Sequence, residues 1–337
     1  MAKISFYDTT EVDQQQLVAA LASTDHAWEF REGPVAIDNI DPEAEILSVF
    51  VGDQITREVM QAMPNLKLIA CRSTGYDNID LHAARDHGVT VVNVPSYGDE
   101  TVAEYSITLI LLLSRSIPQT LNVVAHDKLD PAETTGFDLQ GKTVGILGTG
   151  RIGQRMARLC HAFGMKVVAF DPHPNEDLIR DIDAHYCSLD ELAAMSDVIS
   201  LHMPYLPSTH HTVNKDFITK LKPGAIIINT GRGELIDTEA LLDGLLSGKV
   251  GGAGLDVIEN ESLMQLETQI QVYEEEYQEK LAFLGKLHVL RSLPNVIITP
   301  HNAYNTVEAR GRINQTTADN IINFWYGNIP NEVTIKE

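Results

Sequence analysis

The chain has 337 residues, enough for two domains of ordinary size. Its formal charge of −22 argues against nucleic acid or an anionic membrane surface as a partner, because both need clustered Lys and Arg. Cys71, Cys160 and Cys187 are too widely spaced for a disulfide framework or a Cys-x-x-Cys pair, and the start MAKISFYDTT lacks the features of a signal peptide. We therefore expect a cytoplasmic protein with no metal site and no membrane contact.

Short β-branched runs alternate with helical patterns along the whole chain. Near-continuous apolar strands separated by helices predict parallel sheets that are covered on both faces. The strands are too many for one comfortable sheet, so we predict two doubly wound α/β domains. The strand candidates are KISFYD, EILSVFV, LKLIAC, VTVVNVP, TVGILG, KVVAFD, DVISLH, AIIINT, GAGLDV and VIITP.

Two long helical patterns mark the predicted domain boundaries. One follows the turn residues from Pro95 to Asp99, and we expect Pro118 and the loop after it to close this helix. The other runs from about 306 to 326. Residues 1–98 and 300–337 would then form one domain, and residues 99–299 the other.

The acidic segment 262–293 ends in the helical pattern EEEYQEKLAFLGKLHVL. We expect a solvated helix packed on a sheet edge. An oligomer contact or a lid over a site is the alternative.

A glycine-rich motif follows the predicted strand TVGIL. It reads Gly148-x-Gly150-x-x-Gly153 and opens a helix whose apolar face includes Ile152, Met156, Leu159, Cys160 and Phe163. In a dinucleotide-binding turn the first glycine permits the sharp turn, the second lets a pyrophosphate approach the backbone, and the third lets helix and strand pack closely. The N–H groups at the helix start would face the phosphates.

Asp171 ends the next predicted strand, 18 positions beyond Gly153. A carboxylate there can accept hydrogen bonds from the adenosine ribose, and its charge repels a 2′-phosphate. The sequence therefore predicts NAD rather than NADP as the cofactor.

Three predicted strands are followed by charged side chains. Arg232 comes after AIIINT, Glu261 lies five residues beyond Asp256, and His301 comes after VIITP. Because the carboxyl ends of parallel strands line the ligand crevice, we expect Arg232, Glu261 and His301 to meet at one edge. Taken singly, each has an ordinary explanation: a surface ion pair, a solvated carboxylate, or a packing histidine.

Together these three side chains suit one reaction. Arg232 can hold a carboxylate through two parallel N–H bonds. A carboxylate beside His301 favours the imidazolium form, which can donate a proton to a ketone oxygen while hydride arrives at carbon. With a nicotinamide cofactor as hydride donor, the set predicts interconversion of a 2-oxo acid and a 2-hydroxy acid.

The sequence resembles the D-isomer-specific 2-hydroxyacid dehydrogenase family, and within it the D-lactate dehydrogenase branch, over essentially its whole length. The resemblance implies a flavodoxin-like substrate domain and a Rossmann NAD domain with a cleft between them, and a homodimer. The matching motifs are LGTGRIG, FGMKVVAFD, SDVISLHMPYLPSTHHTVN, LKPGAIIINTGRGELID, GLDVIENE and NVIITPHNAY.

The resemblance also implies roles for individual residues. Arg232 would orient the substrate carboxylate and carbonyl, His301 would be the acid and base, and Glu261 would be its partner. The implied cofactor contacts, besides Gly148, Gly150, Gly153 and Asp171, are Arg151, Ile152, Met203, Pro204, Thr209, Thr230, Gly231, Arg232 and Asp256. The implied substrate contacts are Phe50, Thr74, Gly75, Tyr97 and Tyr304.

These aromatic side chains favour a small methyl-bearing substrate, so we predict reduction of pyruvate to D-lactate. Asn302, Asn305 and Gly231 depart from the usual family pattern, and the two asparagines would suit a more polar substrate. The alternatives are a larger or more polar 2-oxo acid, such as phenylpyruvate, 2-oxoisocaproate or hydroxypyruvate, and an NAD(H)-sensing, corepressor-like interaction protein on the same fold.

Overall fold

The computed structural model describes residues 2–125, 134–261 and 275–335, with the backbone alone at 275–279. The chain divides into two compact units. The first holds Met1–Tyr97 and Asn305–Glu337, and the second holds Gly98–Tyr304. Each is built on an all-parallel sheet, which confirms the predicted pair of α/β domains.

The first unit contains a five-stranded sheet in the order β2-β1-β3-β4-β5. Its strands are β1 (Lys3–Phe6), β2 (Ala27–Phe30), β3 (Ile46–Val49), β4 (Leu68–Cys71) and β5 (Thr90–Val92). Its helices, numbered in chain order, are α1 (Glu11–Leu21), α2 (Arg57–Gln61), α3 (Leu81–Asp86) and α12 (Val307–Trp325).

The second unit contains a seven-stranded sheet in the order β12-β11-β10-β9-β6-β7-β8. Its strands are β6 (Thr143–Leu147), β7 (Lys166–Phe170), β8 (His185–Tyr186), β9 (Val198–Leu201), β10 (Ala225–Asn229), β11 (Val250–Leu255) and β12 (Val296–Ile298). Its α-helices are α4 (Asp99–Ser114), α5 (Ile117–Ala125), α6 (Arg151–Ala162), α7 (Glu176–Ile182), α8 (Leu189–Met195), α9 (Lys215–Lys220), α10 (Thr238–Leu246) and α11 (Glu275–Ser292).

Successive residues of a central strand enter different cores. In β10, Ile227 packs in the cluster that includes Leu241 of α10, while its neighbours Ile226 and Ile228 pack in the cluster that includes Met156 of α6. This follows from the two-residue repeat of a strand. Both faces are therefore covered by helices, which explains why the central strands are apolar without interruption.

The boundary near residue 300 differs from the predicted one. The structure keeps residues 300–304 with the second unit, so His301 belongs to that unit and not to the one that includes α12. The reason is a tether to β11: the N–H groups of Asn302 and Ala303 donate to the carboxylate of Asp256, each over 2.8 Å.

Several local predictions were wrong at sheet edges and helix ends. The short edge strands β2 and β8 were not predicted, and β12 is half-buried because it too is an edge strand. Pro118 does not close a helix but lies in the first turn of α5, a position that proline tolerates. Phe163 ends α6 and is 43% exposed, so it is not part of the apolar face of that helix.

The predicted helix at the end of the acidic segment is present as α11. Its Leu284, Leu287 and Leu290 are buried in the cluster that includes Leu241. The helix contacts α10 and the edge strand β12, as expected for packing at a sheet edge. The rest of the segment, residues 262–274, lies outside the described residues, and so do residues 126–133 of the loop after α5.

In the described ranges, none of the helices has both the length and the hydropathy to cross a membrane alone. The pair α4 and α5 meets that test together, but the two helices are bent by 57°.

Candidate active site

The glycine-rich turn joins β6 to α6 and is packed too tightly for side chains at two of its three glycines. Gly148 has φ +90°, and a Cβ there would lie 2.8 Å from the carbonyl oxygen of His202. A Cβ on Gly153 would lie 1.9 Å from the carbonyl oxygen of Gly148. These glycines are therefore required by the fold itself.

Gly150 differs from the other two glycines. A Cβ built there meets no described atom within 4 Å, so its backbone borders open space. It is the N-cap of α6 and has no side chain to satisfy the first N–H groups of that helix. Open space beside an uncapped helix start suits a bound phosphate, as expected for the pyrophosphate of NAD. Arg151 and Ile152, two further predicted contacts, form the first turn of α6.

Asp171 follows β7 and is held against this turn. One of its carboxylate oxygens accepts the backbone N–H of Thr149 over 2.7 Å, and the other accepts that of His173 over 2.8 Å. The carboxylate thus lies beside the glycine-rich turn, where an adenosine ribose would be expected. The N–H groups at the start of α6 and the Asp171 carboxylate therefore fit the pyrophosphate and the ribose of NAD.

A hydroxyl network that the sequence did not reveal supports Asp171. Tyr186 of β8 donates from its hydroxyl to the Thr149 hydroxyl over 2.9 Å and accepts the N–H of Asn175. The Thr149 hydroxyl lies 3.2 Å from the Asp171 carboxylate. No signal in the sequence marked Tyr186, because it belongs to an edge strand of two residues.

The loop after β9 contains the predicted contacts Met203, Pro204 and Thr209. Met203 is buried, and the Thr209 hydroxyl donates to the carbonyl of Pro204 over 2.8 Å, which closes the loop on itself. Just before it, His202 lies 2.8 Å from the Ser200 hydroxyl, and burial lowers the pKa of His202 to about 4. The His202 imidazole is therefore neutral at pH 7.

His301 and Glu261 lie together at the carboxyl ends of the neighbouring strands β12 and β11. The Nδ1 atom of His301 is 3.6 Å from Oε2 of Glu261, and the two side chains are 32% and 40% exposed. His301 has φ +50°, a conformation uncommon for a residue with a Cβ. Residues 40 positions apart in the chain thus form the imidazole–carboxylate pair that proton transfer needs.

Asp256 fixes the backbone around His301. This carboxylate is 1% exposed and accepts the hydroxyl of Thr299 over 2.5 Å as well as the N–H groups of Asn302 and Ala303. Its carbonyl accepts the N–H of His301 over 2.9 Å. The structure therefore gives Asp256 a clear part in holding the loop, and its predicted contact with the cofactor stays a prediction.

Arg232 follows β10, the strand next to β11. Its carbonyl accepts the side-chain amide of Asn229 over 2.8 Å, and its Nη1 donates to the carbonyl of Gly231 over 2.9 Å. Thr230 lies 2.8 Å from Ser106 of α4 through their hydroxyl groups. Arg232, Glu261 and His301 thus follow three adjacent strands, β10, β11 and β12, at the same edge of the sheet.

The first unit shows the same arrangement in its own sheet. Phe50, Thr74 and Tyr97 come after the carboxyl ends of β3, β4 and β5, which are adjacent strands. The Thr74 hydroxyl donates to the carbonyl of Val94 over 2.9 Å, and the Tyr97 carbonyl accepts Nε of Arg312 over 2.8 Å. Gly75 follows Thr74 directly, and Tyr304 belongs to the second unit. Their roles as substrate contacts stay predictions.

Comparisons with known proteins assign the class. Residues 107–303 match the family model for the D-isomer specific 2-hydroxyacid dehydrogenase, NAD binding domain. The chain is 34% identical to the D-lactate dehydrogenase of Escherichia coli (strain K12), over 98% of this chain and 99% of that protein. It is 39% identical to the hydroxypyruvate reductase of Thermotoga maritima, over 81% and 82% of the two chains.

A solved structure agrees over the same length. The D-lactate dehydrogenase from Aquifex aeolicus, complexed with NAD and lactic acid, superposes with a TM-score of 0.86 at 35% identity, covering 99% of this chain and 100% of that one. The chain therefore belongs to the D-isomer-specific 2-hydroxyacid dehydrogenase family. It is an NAD-dependent oxidoreductase, which confirms the family, the enzyme class and the cofactor predicted from the sequence.

Proposed function

We propose that the enzyme uses NADH to reduce a small 2-oxo acid, with pyruvate as the preferred substrate and D-lactate as the product, and that the reaction is reversible. The main support for this proposal is the pair of His301 and Glu261, whose Nδ1 and Oε2 atoms are 3.6 Å apart. These two residues follow β12 and β11, and Arg232 follows the adjacent strand β10. The similar proteins from Escherichia coli and Aquifex aeolicus are D-lactate dehydrogenases, which supports the assignment of pyruvate as the substrate.

Each of the three side chains would have one task in this reaction. Arg232 binds the substrate carboxylate through its two parallel N–H groups, and so turns the carbonyl toward the imidazole. His301 donates a proton to the carbonyl oxygen during reduction and takes it back from the hydroxyl during oxidation. Glu261 stabilises the charged imidazole. Gly150 and Asp171 would hold the cofactor, which would supply the hydride as NADH in reduction and accept it as NAD⁺ in oxidation.

On the family resemblance, we assign Phe50, Tyr97 and Tyr304 as contacts of the substrate methyl group, and the backbone at Thr74 and Gly75 as contacts of its carboxylate. Phe50 is held in place, because its N–H donates to Asp53 over 2.8 Å and its carbonyl accepts Asn78 over 2.9 Å.

Hydroxypyruvate is the second candidate substrate. It is favoured by the 39% identity to the Thermotoga maritima hydroxypyruvate reductase and by the two asparagines, Asn302 and Asn305, that follow His301. An amide side chain can hydrogen-bond the extra hydroxyl of this substrate, which a methyl group does not need.

A kinetic panel distinguishes the candidates. The purified protein is mixed with NADH and, in separate cuvettes, pyruvate, 2-oxobutyrate, hydroxypyruvate, glyoxylate, phenylpyruvate and 2-oxoisocaproate. We expect the highest kcat/KM with pyruvate, and oxidation of D-lactate but not L-lactate in the reverse direction. No loss of NADH absorbance with any of these acids would contradict the proposal.

Arg232→Lys tests the proposed carboxylate site. Lysine keeps the positive charge but loses the planar pair of donors. We expect kcat/KM for the 2-oxo acid to fall by about 10- to 100-fold, equivalent to roughly 1.4–2.8 kcal/mol, with the Kd for NADH unchanged. A variant with wild-type kcat/KM would remove Arg232 from substrate binding.

We also propose that the enzyme is a homodimer in the cytoplasm. The family resemblance supports the dimer, and free thiols at Cys71, Cys160 and Cys187 are in keeping with a reducing compartment. Sedimentation equilibrium should give twice the chain mass of 37.2 kDa, and a monomer mass would contradict the dimer.

A further inference from the structure

A second histidine–glutamate pair lies in the same unit as His301 and Glu261. The Nε2 atom of His211 is 2.9 Å from Oε1 of Glu259, and the other carboxylate oxygen of Glu259 accepts the Thr238 hydroxyl over 2.9 Å. The side chains of His211 and Glu259 are 30% and 17% exposed, so this pair is better shielded than His301 and Glu261. The ring of His210 stacks on that of His211 at 3.8 Å.

Together with Thr238, the pair joins two loops and the start of a helix, all close in the chain to candidate active-site residues. His211 belongs to the loop after β9, Glu259 to the loop after β11, and Thr238 to the start of α10, just beyond the turn that contains Arg232. The N–H of His211 also donates to the carbonyl of Glu234 over 2.9 Å.

Close backbone packing strengthens the same junction. A Cβ on Gly233 would lie 2.1 Å from the carbonyl carbon of Ile258 and 2.4 Å from the nitrogen of Glu259. The turn after Arg232 and the segment before Glu261 therefore touch through their backbones. The carboxylate of Glu259 also links this junction to the loop after β9 through His211 and to the start of α10 through Thr238.

Glu261 needs such support because its own contact is loose. The distance of 3.6 Å to His301 is longer than a hydrogen bond, and 40% of the Glu261 side chain is exposed. Between it and Glu259 lies Asn260, with φ +52°, a left-handed conformation that turns the chain sharply. Fixing Glu259 on one side of this turn therefore fixes where the backbone of Glu261 begins.

We propose that His211, Glu259 and Thr238 are positioning residues that hold Glu261 beside His301. This inference rests on the proposed function, in which His301 transfers the proton. Loss of the pair would leave the glycine-rich turn and Asp171 intact, so we expect the main defect in the proton-transfer step and only a small one in NADH binding.

A mutant cycle on kcat tests this proposal. His211→Asn breaks the contact with Glu259, while asparagine tolerates the φ of +49° at this position. We expect kcat to fall by about 10- to 100-fold, since a small misplacement of a catalytic group can cost that much, with little change in the KM for NADH. In the Glu261→Gln background the same substitution should change kcat by less than about 2-fold, because the group it positions is already absent.

Two further variants serve as a conservative substitution and as a control. Glu259→Gln keeps a hydrogen-bonding oxygen and should retain more kcat than His211→Asn. Lys220→Gln breaks the exposed pair with Asp190, at 2.6 Å, and is the matched control with wild-type kinetics. Equal losses from His211→Asn with and without Glu261, or a loss confined to thermal stability, would overturn the proposal.

Crystal structures of the wild type and of both pair variants give a readout that does not depend on turnover. We expect the distance between the Glu261 carboxylate and Nδ1 of His301 to increase in His211→Asn, and to increase less in Glu259→Gln. An unchanged distance in His211→Asn would overturn the positioning role. If the wild type reduces none of the 2-oxo acids, the proposed function fails, and this structural comparison still decides the role of the pair.

Discussion

The glycine-rich turn after β6 and the charged edge formed by β10, β11 and β12 differ in the way we propose that they contribute to the active site. In the turn, the chemistry belongs to the backbone, and the residues that matter lie within six positions of one another, from Gly148 to Gly153. At the charged edge, the proposed chemistry belongs to the side chains of Arg232, Glu261 and His301. The glycine-rich turn can form and bind a ligand only because its glycines have no side chains. The charged edge instead needs contacts elsewhere in the fold that hold its side chains in place.

This contrast predicts opposite sensitivities to substitution. At the charged edge the backbone conformation can be preserved while the chemistry is removed. In the turn, adding one methyl group to either of two glycines disturbs the fold, and adding it to the third affects only the ligand.

The largest expected effect is that of His301→Asn. Asparagine accepts the φ of +50° but provides no acid or base. We expect kcat to fall by about 10²- to 10⁴-fold, the usual contribution of a general acid or base. Steady-state kinetics with pyruvate measure the change, and fluorescence titration should give an unaltered Kd for NADH. The exposed His185 on β8 offers a matched control, His185→Asn, and equal kcat for both variants would exclude His301 from the chemistry.

The next effect compares two glycines of the turn. Gly153→Ala forces a Cβ to within 1.9 Å of a backbone oxygen, so we expect a loss of about 1–3 kcal/mol in the free energy of unfolding of this unit. Gly150→Ala meets open space and should melt like the wild type, but bind NADH more weakly because the methyl group occupies the phosphate position. Thermal melts and NADH titrations of both variants measure this. Equal melting temperatures for the two would contradict the assignment.

A smaller effect concerns the choice of cofactor. Asp171→Asn keeps an oxygen for the N–H of Thr149 but removes the negative charge. We expect the preference for NADH over NADPH to fall by about 10-fold, the equivalent of roughly 1.4 kcal/mol. The ratio of the two kcat/KM values measures it. An unchanged ratio would place the 2′-position of the ribose away from Asp171.

The smallest effect is a pH dependence of stability at His202. The folded pKa of this imidazole is about 4, below its ordinary value of 6.5, so the unfolded chain binds more protons in that interval. The contribution of neutral His202 is complete above pH 6.5 and is lost as the pH falls toward 4. We expect the difference in melting temperature between the wild type and His202→Asn to shrink by about 2–4 °C from neutral pH to about pH 5. A constant difference would show that the pKa of His202 is not lowered in the folded protein.

Features that depend on neighbouring residues in the chain could be predicted from the sequence, and features that depend on distant residues could not. The turn was predictable because its constraint is local: Gly148, Gly150 and Gly153 follow a strand and open a helix, and Asp171 ends the next strand. The central strands were predictable because they are buried on both faces and apolar throughout.

The remaining features depend on contacts between distant parts of the chain. Nothing in the residues near Asp256 indicates that its carboxylate accepts the N–H groups of Asn302 and Ala303, which is why the predicted boundary at 300 was five residues early. The strands β2 and β8 were missed because short edge strands lack the continuous apolar pattern. The pair of His211 and Glu259 spans 48 positions and has no local signature.

The most direct test of the proposed roles of Arg232, Glu261 and His301 is a crystal structure of the enzyme with NADH and oxamate, an unreactive analogue of pyruvate. We expect the oxamate carboxylate to lie on the guanidinium of Arg232, and its amide carbonyl oxygen to lie within about 3.2 Å of the His301 imidazole, with Glu261 on the other ring nitrogen. An imidazole turned away from the nicotinamide, with the carboxylate of oxamate bound elsewhere, would contradict these roles.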